Sequence, residues 1–230
     1  MEYNYIEFDD YWIYNNTIII KPHFNKDIYL IKFNSEILSL IFTNYIVFEY
    51  IINDNIKKKC YVSKFNQPID NLSSTLLNLT LSNYFNQTVD NLPQNLTNLT
   101  FSYKFNQTVD NLPQNLTNLT FCYEFNQTVD NLPQSLLNLT FGYKFNQTVD
   151  NLPNSIISIK FISNCYNGYC IYNKQLNNLP NSVCELVLPT NYEQKINVVP
   201  TSLKKIVCSS MYKYKFINEF NNVDIVLFDI

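Results

Sequence analysis

A period of 20 residues constrains this chain more than any other feature. From Phe85 to Asn151 it reads FNQTVDNLPQNLTNLTFSYK, FNQTVDNLPQNLTNLTFCYE and FNQTVDNLPQSLLNLTFGYK, then begins FNQTVDN again. A fixed period of this size marks a solenoid, because one unit is too small to bury its own apolar side and must stack on the next. In one copy the apolar positions are Val89, Leu92, Leu96, Leu99, Phe101 and Phe105; in the next they are Val109, Leu112, Leu116, Leu119, Phe121 and Phe125. Stacked windings would join these into continuous columns. Leu99 to Tyr103 alternates apolar and polar residues. That alternation predicts a short strand with Leu99 and Phe101 inside and Thr100 and Ser102 outside. Its equivalents are expected parallel and in register, roughly 4.8 Å apart. Asn86 to Asn98 carries no helical pattern, so extended or 3₁₀ segments are expected there, with Pro93 pushing Leu92 towards an extended conformation.

The repeated polar residues invite two readings each. Asn86, Asn106, Asn126 and Asn146 follow a Phe in every copy. They either form a ladder bonded to backbone along the stack, or they are solvated loop residues. Asp90, Asp110, Asp130 and Asp150 would also align. Carboxylates about 5 Å apart in water repel by roughly 0.8 kcal/mol. A metal ladder would relieve that, but the glycine-rich loops it needs are absent, so each Asp is expected to accept backbone N–H bonds in its turn.

The segment Leu96-x-x-Leu99-x-Phe101 looks like the first part of a leucine-rich repeat, with the Asn two residues late at Asn106. The phrase FNQ…LP…L..L.F, running from Phe65 to Phe161, resembles the FNIP repeat, a divergent relative of leucine-rich repeats known from slime moulds and giant DNA viruses. The fourth letter is Pro only at Pro68; Thr88, Thr108, Thr128 and Thr148 replace it elsewhere. The resemblance implies a non-catalytic protein-interaction scaffold, with no catalytic residues to carry over. The expected fold is mainly β: a right-handed leucine-rich-repeat-like solenoid with one parallel sheet of short strands and few or no helices in the regular repeats.

Outside the regular copies the pattern loosens. Residues 1–17 match no repeat and are expected to cap the open N-terminal edge. Divergent repeats are expected over 18–60 and regular ones over 61–163. Looser repeats with an insert follow over 164–219, and a closing strand over 220–230. Leu40-Ile41-Phe42 aligns with Leu99-Thr100-Phe101, and residues 47–60 read as an irregular insert or degenerate coil. A rival reading of Ser35 to Asp54 is a helical F-box-like motif, as found in receptors of ubiquitin ligases. The next Leu179-Pro180 comes 27 residues after Leu152-Pro153 rather than 20, so one coil is lengthened.

Composition narrows the function classes. The net charge is −3 with no Arg, a poor basis for neutralising nucleic-acid phosphates. Only Gly142 and Gly168 are present, so there is no phosphate-binding loop. No apolar run is long enough to span a membrane, and the first residues lack a basic signal-peptide region. An intracellular location, the host cytoplasm if viral, is expected. With a single His and no C-x-x-C, no zinc set is expected, and the six Cys are expected as free thiols. Cys165 and Cys170, flanking a hairpin-like turn, are the pair best placed to bridge. The chain is therefore read as a non-enzymatic scaffold without cofactor. It is expected to bind a protein partner, and neither nucleic acid nor membrane. The expected contact surface is the outer face of the sheet: Thr80, Thr100, Thr120 and Thr140 beside Ser82, Ser102, Cys122 and Gly142, bordered by Lys104, Glu124 and Lys144.

Overall fold

The computed structural model describes residues 6–7, 9–21, 23–26, 37–42, 45–52, 55–161, 170–216, 220 and 222–227. The strands are β1 (Ile6–Glu7), β2 (Tyr11–Tyr14), β3 (Thr17–Ile20), β4 (Ser39–Phe42), β5 (Tyr45–Ile52), β6 (Asn55–Val62), β7 (Asn78–Thr80), β8 (Asn98–Thr100), β9 (Asn118–Thr120), β10 (Asn138–Phe141), β11 (Ser158–Phe161), β12 (Glu185–Val187), β13 (Lys205–Cys208) and β14 (Asp224–Leu227), with one described helix, α1 (Ser210–Phe216). All but β5 and β6 line up in sequence order in one 12-stranded sheet. From β3 onward every pairing in that sheet is parallel and in register, so Leu79, Leu99, Leu119, Leu139 and Ile159 form one row. At the N-terminal end β1, β2 and β3 pair antiparallel. The two-residue turn between β2 and β3 has Asn15 at a φ of 51°, the left-handed region that tight hairpin turns need.

The regular strands are shorter than the alternation suggests. Asn98, Leu99 and Thr100 carry the ladder, with Leu99 buried and its neighbours half-exposed. Phe101 and Ser102 are then buried in succession, which ends the two-residue alternation. The physical reason is the core. The Phe101 ring stacks on Phe105 of its own turn at 3.6 Å between centroids, and Phe121 does the same with Phe125. The chain must fold back sharply to bring rings four residues apart face to face. Each ring also stacks on its equivalents one turn away, Phe105 on Phe125 at 6.1 Å and Phe101 on Phe121 at 5.5 Å. Two interleaved aromatic columns therefore run through the molecule. One continues through Phe145 into Tyr172 and Tyr192. The other runs from Phe101 through Phe121 and Phe141 to Phe161, with Leu81 at the equivalent place one copy before Phe101. Burying each ring contributes roughly 1.5–3 kcal/mol.

The asparagine ladder is present. The Asn86 N–H donates to Asn66 Oδ1, Asn106 to Asn86, Asn126 to Asn106 and Asn146 to Asn126, all at 2.8–2.9 Å. The following glutamine reinforces each rung, as when Gln107 Nε2 donates to the Asn86 carbonyl at 3.2 Å. Each rung satisfies turn backbone that the sheet cannot reach. The aspartates behave differently from expectation. Asp90, Asp110 and Asp130 each accept from the side-chain amide of the Asn in the next turn, Asn111, Asn131 and Asn151, at 3.1 Å. Each carboxylate thus bonds sideways along the stack.

Several expectations outside the regular copies need correcting. Ser39–Phe42 and Tyr45–Ile52 are strands, so the F-box-like helix has no counterpart there. β4 pairs in parallel with β3 and β7, as a turn of the stack should. Where the sequence predicts an irregular insert or degenerate coil over 47–60, β5 and β6 form a separate two-stranded antiparallel sheet. The helix α1 was not legible in the repeat pattern. It carries Tyr212 into the aromatic column, tilted against Tyr192 at 5.5 Å. Cys170, Cys184 and Cys208 are free, so Cys170 has no bridge to Cys165, which lies outside the described residues. Cys122 departs from the free-thiol expectation: it is disulfide-bonded, to a partner outside the described side chains.

Two stability measurements follow from the aromatic columns. Phe121→Ala should lower the unfolding free energy by about 3–5 kcal/mol, and Phe121→Leu by only about 1 kcal/mol, because Leu81 already fills that position two copies earlier. Equal losses in denaturant unfolding would refute the stacking account. The Tyr172 hydroxyl is fully buried without a hydrogen-bond partner. Tyr172→Phe should therefore leave stability unchanged or raise it by about 1 kcal/mol; a loss of that size would show that the hydroxyl has a role.

Candidate functional site

The exposed face of the sheet is built from the residues on either side of the buried row. One column, preceding the buried leucine, runs Asn78, Asn98, Asn118, Asn138, then a buried Ser158, Glu185, Lys205 and an exposed Asp224. The other runs Thr80, Thr100, Thr120, Thr140, then Lys160, a buried Val187 and Val207. The asparagines form a second ladder. Asn98 Nδ2 donates to Asn78 Oδ1, Asn118 to Asn98 and Asn138 to Asn118, at 2.6–2.7 Å. A further column lies one residue earlier, where Thr97 and Thr117 donate their hydroxyls to the preceding turn's carbonyl at 3.1 and 3.0 Å. In this column Leu77 precedes the threonines, and Leu137 and Ile157 follow them, standing 36% and 42% exposed.

The expected contact residues divide into two groups. Thr80, Thr100, Thr120 and Thr140 share one half-exposed column, while Lys104, Glu124 and Lys144 form a column of their own joined by ion pairs. Ser82, Ser102, Cys122 and Gly142 are buried and do not belong to this face. The Ser102 hydroxyl donates to the Leu81 carbonyl at 2.7 Å, and the Ser82 hydroxyl to that of Phe65. At Gly142 a Cβ would stand 1.6 Å from the Cys122 carbonyl oxygen, so that copy packs too closely for a side chain. All four positions follow the buried aromatic or aliphatic residue that turns the chain inward. The same burial pushes the nearby Cys170 thiol up to about 11, far from reactive.

Charge on this side is arranged in two similar clusters. Glu124 lies between Lys144 at 2.7 Å and Lys104 at 3.7 Å. Beside it Tyr103, Tyr123 and Tyr143 stack at 4.5 and 4.6 Å. Glu185 lies between Lys160 at 2.9 Å and Lys205 at 3.1 Å, and accepts from the Ser158 hydroxyl at 2.9 Å. The Lys160 hydrogen bond, with those of Ser158 and Lys205, overcomes partial burial and holds the Glu185 carboxyl down at about 2. Sequence reading missed this second cluster and the asparagine column. Carrying the 20-residue alignment across the 27-residue spacing would have placed Lys160, Glu185 and Lys205 on adjacent strands. No described helix is long and apolar enough to cross a membrane.

The Glu185 cluster makes a pH prediction. A carboxyl held below its ordinary value adds stability above about pH 4.5, and that contribution is lost as pH falls towards 2. Discounted for partial exposure, the contribution should be about 1–2 kcal/mol. Glu185→Gln should remove that part of the acid-limb slope of unfolding free energy against pH; an unchanged slope would show that the carboxyl titrates normally.

The family model for the FNIP repeat matches residues 88–123, 105–144 and 125–164. Among solved structures, 95% of the chain is similar to CroV588, a giant-virus protein described as a novel circular leucine-rich-repeat structure, at 28% identity and a TM-score of 0.66. The chain spans about a third, 34%, of the length of that solved chain. No curated protein matches. The pairing register, the buried Leu and Phe rows and these similarities agree: the chain carries FNIP repeats and folds as a leucine-rich-repeat-like solenoid.

Proposed function

We propose that this chain is a non-catalytic protein-interaction scaffold, and that its partner lies along the exposed face of the sheet. The observation that carries this reading is the in-register threonine and asparagine columns on β7 to β10, which form a regular, rigid polar surface on a fully packed core. Repeat solenoids present extended surfaces of this kind, and binding energy comes from side chains held in place before contact. The described residues contain no group of three or more His, Cys, Asp and Glu side chains placed to hold a metal ion. The site is therefore described by its surface rather than by a reactive constellation.

Capture of partners from the native cell, followed by quantitative mass spectrometry, tests the surface. Thr120→Arg puts a bulky charge in the middle of the face. Thr108→Arg makes the same change at an exposed position of the turn on the other side. Thr120→Arg should reduce recovery of the partner by roughly tenfold or more, equivalent to about 1.4 kcal/mol of binding. Thr108→Arg should leave recovery intact. Equal effects of the two substitutions would exclude the sheet face.

A further inference from the structure

The strands β5 and β6 stand outside the stack. They form a two-stranded antiparallel sheet, and no backbone hydrogen bond joins either strand to another described residue. Two strands alone are at best marginally stable in water; three or more with an apolar face are needed. Each strand has a free edge, and the two edges differ in kind. β6 reads NIKKKCYV, with Lys57, Lys58 and Lys59 in succession. Lysines of this kind keep a sheet edge from pairing. β5 reads YIVFEYII, where Glu49 is the only charge and Lys58 stands opposite it in the register. The unguarded edge is therefore that of β5.

A strand that pairs along this edge must match its length and bring few charges. β5 and β6 have eight residues each, and every other described strand has four or fewer. In the large sheet only the end strands β1 and β14 keep an unpaired edge, with two and four residues. Within this protein, the strand that fits is therefore β5 or β6 of a second copy. Closure decides between them. Joining β5 to β6 is head-to-tail, so every assembly keeps an open β5 edge and goes on growing. Joining β5 to β5 is two-fold and closes, and both outer edges of the new sheet are then lysine strands. Glu49 fixes the register. Centring the pair on Glu49 would set two carboxylates opposite each other, which is destabilising. Centring it on Phe48 sets Phe48 opposite Phe48, Ile46 opposite Tyr50, Tyr45 opposite Ile51 and Val47 opposite Glu49. The two copies of Lys59 then lie three strand spacings apart, roughly 14 Å. That exceeds the screening length of about 8 Å at physiological salt.

We propose that β5 pairs antiparallel with β5 of a second copy in the register centred on Phe48, so that two chains share a four-stranded sheet in the order β6-β5-β5-β6. The pairing uses no residue of the threonine and asparagine columns. It therefore goes beyond the scaffold reading and gives the dimer two copies of that face.

Sedimentation equilibrium of the full chain over roughly 1–100 μM tests it, and the wild type should be a dimer at the upper end. Val47→Glu sets a carboxylate opposite Glu49 twice over and should weaken the dimer by roughly tenfold or more. Val47→Lys sets the opposite charge there and should leave the dissociation constant within about threefold. Val198→Glu, at a 58% exposed position of the stack, is the control and should change nothing. Phe48→Cys reads the register. Opposed residues lie about 4.5–5.5 Å apart, within disulfide reach, so mild oxidation should give a reducible dimer beyond any seen with the wild type. Tyr50→Cys, roughly 13 Å from its counterpart, should not. A monomeric wild type would overturn the inference, including one that sediments with phosphatidylserine vesicles and so gives the strand to a membrane surface. Equal behaviour of Val47→Glu and Val47→Lys would do the same, as would cross-linking that does not separate Phe48→Cys from Tyr50→Cys. If Thr120→Arg still abolishes partner capture in that case, the scaffold reading stands and only the dimer falls.

Discussion

The structure depends on aromatic rings stacking along and within the turns. Phe101 and Phe105 of one winding lie face to face, and each meets its counterpart in the windings above and below. This contact needs an apolar group at the same height in every turn, so it locks the 20-residue period to the strand spacing. The sheet, the asparagine ladder and the glutamine rungs all have the register the rings impose. A turn out of phase would lose its ring contacts and its backbone partners together.

That constraint also explains how irregular windings join. The column accepts Leu81, Tyr172 and Tyr192 in place of Phe, because a flat or compact apolar group at the right height is enough. Where the chain between columns is longer, as between Phe145 and Tyr172, the strands still pair in register. The helix α1 extends the same logic, bringing Tyr212 to the column from a different backbone. The antiparallel pair β5 and β6 forms its own small sheet apart from the stack.

The outer face has more freedom than the core, and its residues show it. Four turns carry a self-bonded Asn column beside a Thr column, after which the same positions hold Ser, Lys, Glu and Val. Two lysine–glutamate–lysine clusters arise because a charged residue on one turn meets whatever stands at that position in the next. The low carboxyl of Glu185 is a direct result: lysines on both neighbouring strands stabilise its charged form.

The repeat by itself determined that windings stack, that they lie parallel and in register, and which leucines and phenylalanines point inward. A 20-residue unit with one apolar side has no other way to bury it. It also determined the ladder through Asn86, Asn106, Asn126 and Asn146, since identical turns present identical unmet backbone groups. Only the tertiary structure decided that Ser82, Ser102, Cys122 and Gly142 are buried. Alternation along a strand describes isolated backbone, and ring stacking four residues apart bends the chain before that alternation can finish. The alignment puts Lys160, Glu185 and Lys205 on adjacent strands, but only the tertiary structure decided that both lysines close on the one carboxylate, because side-chain reach is set in space rather than by spacing along the chain.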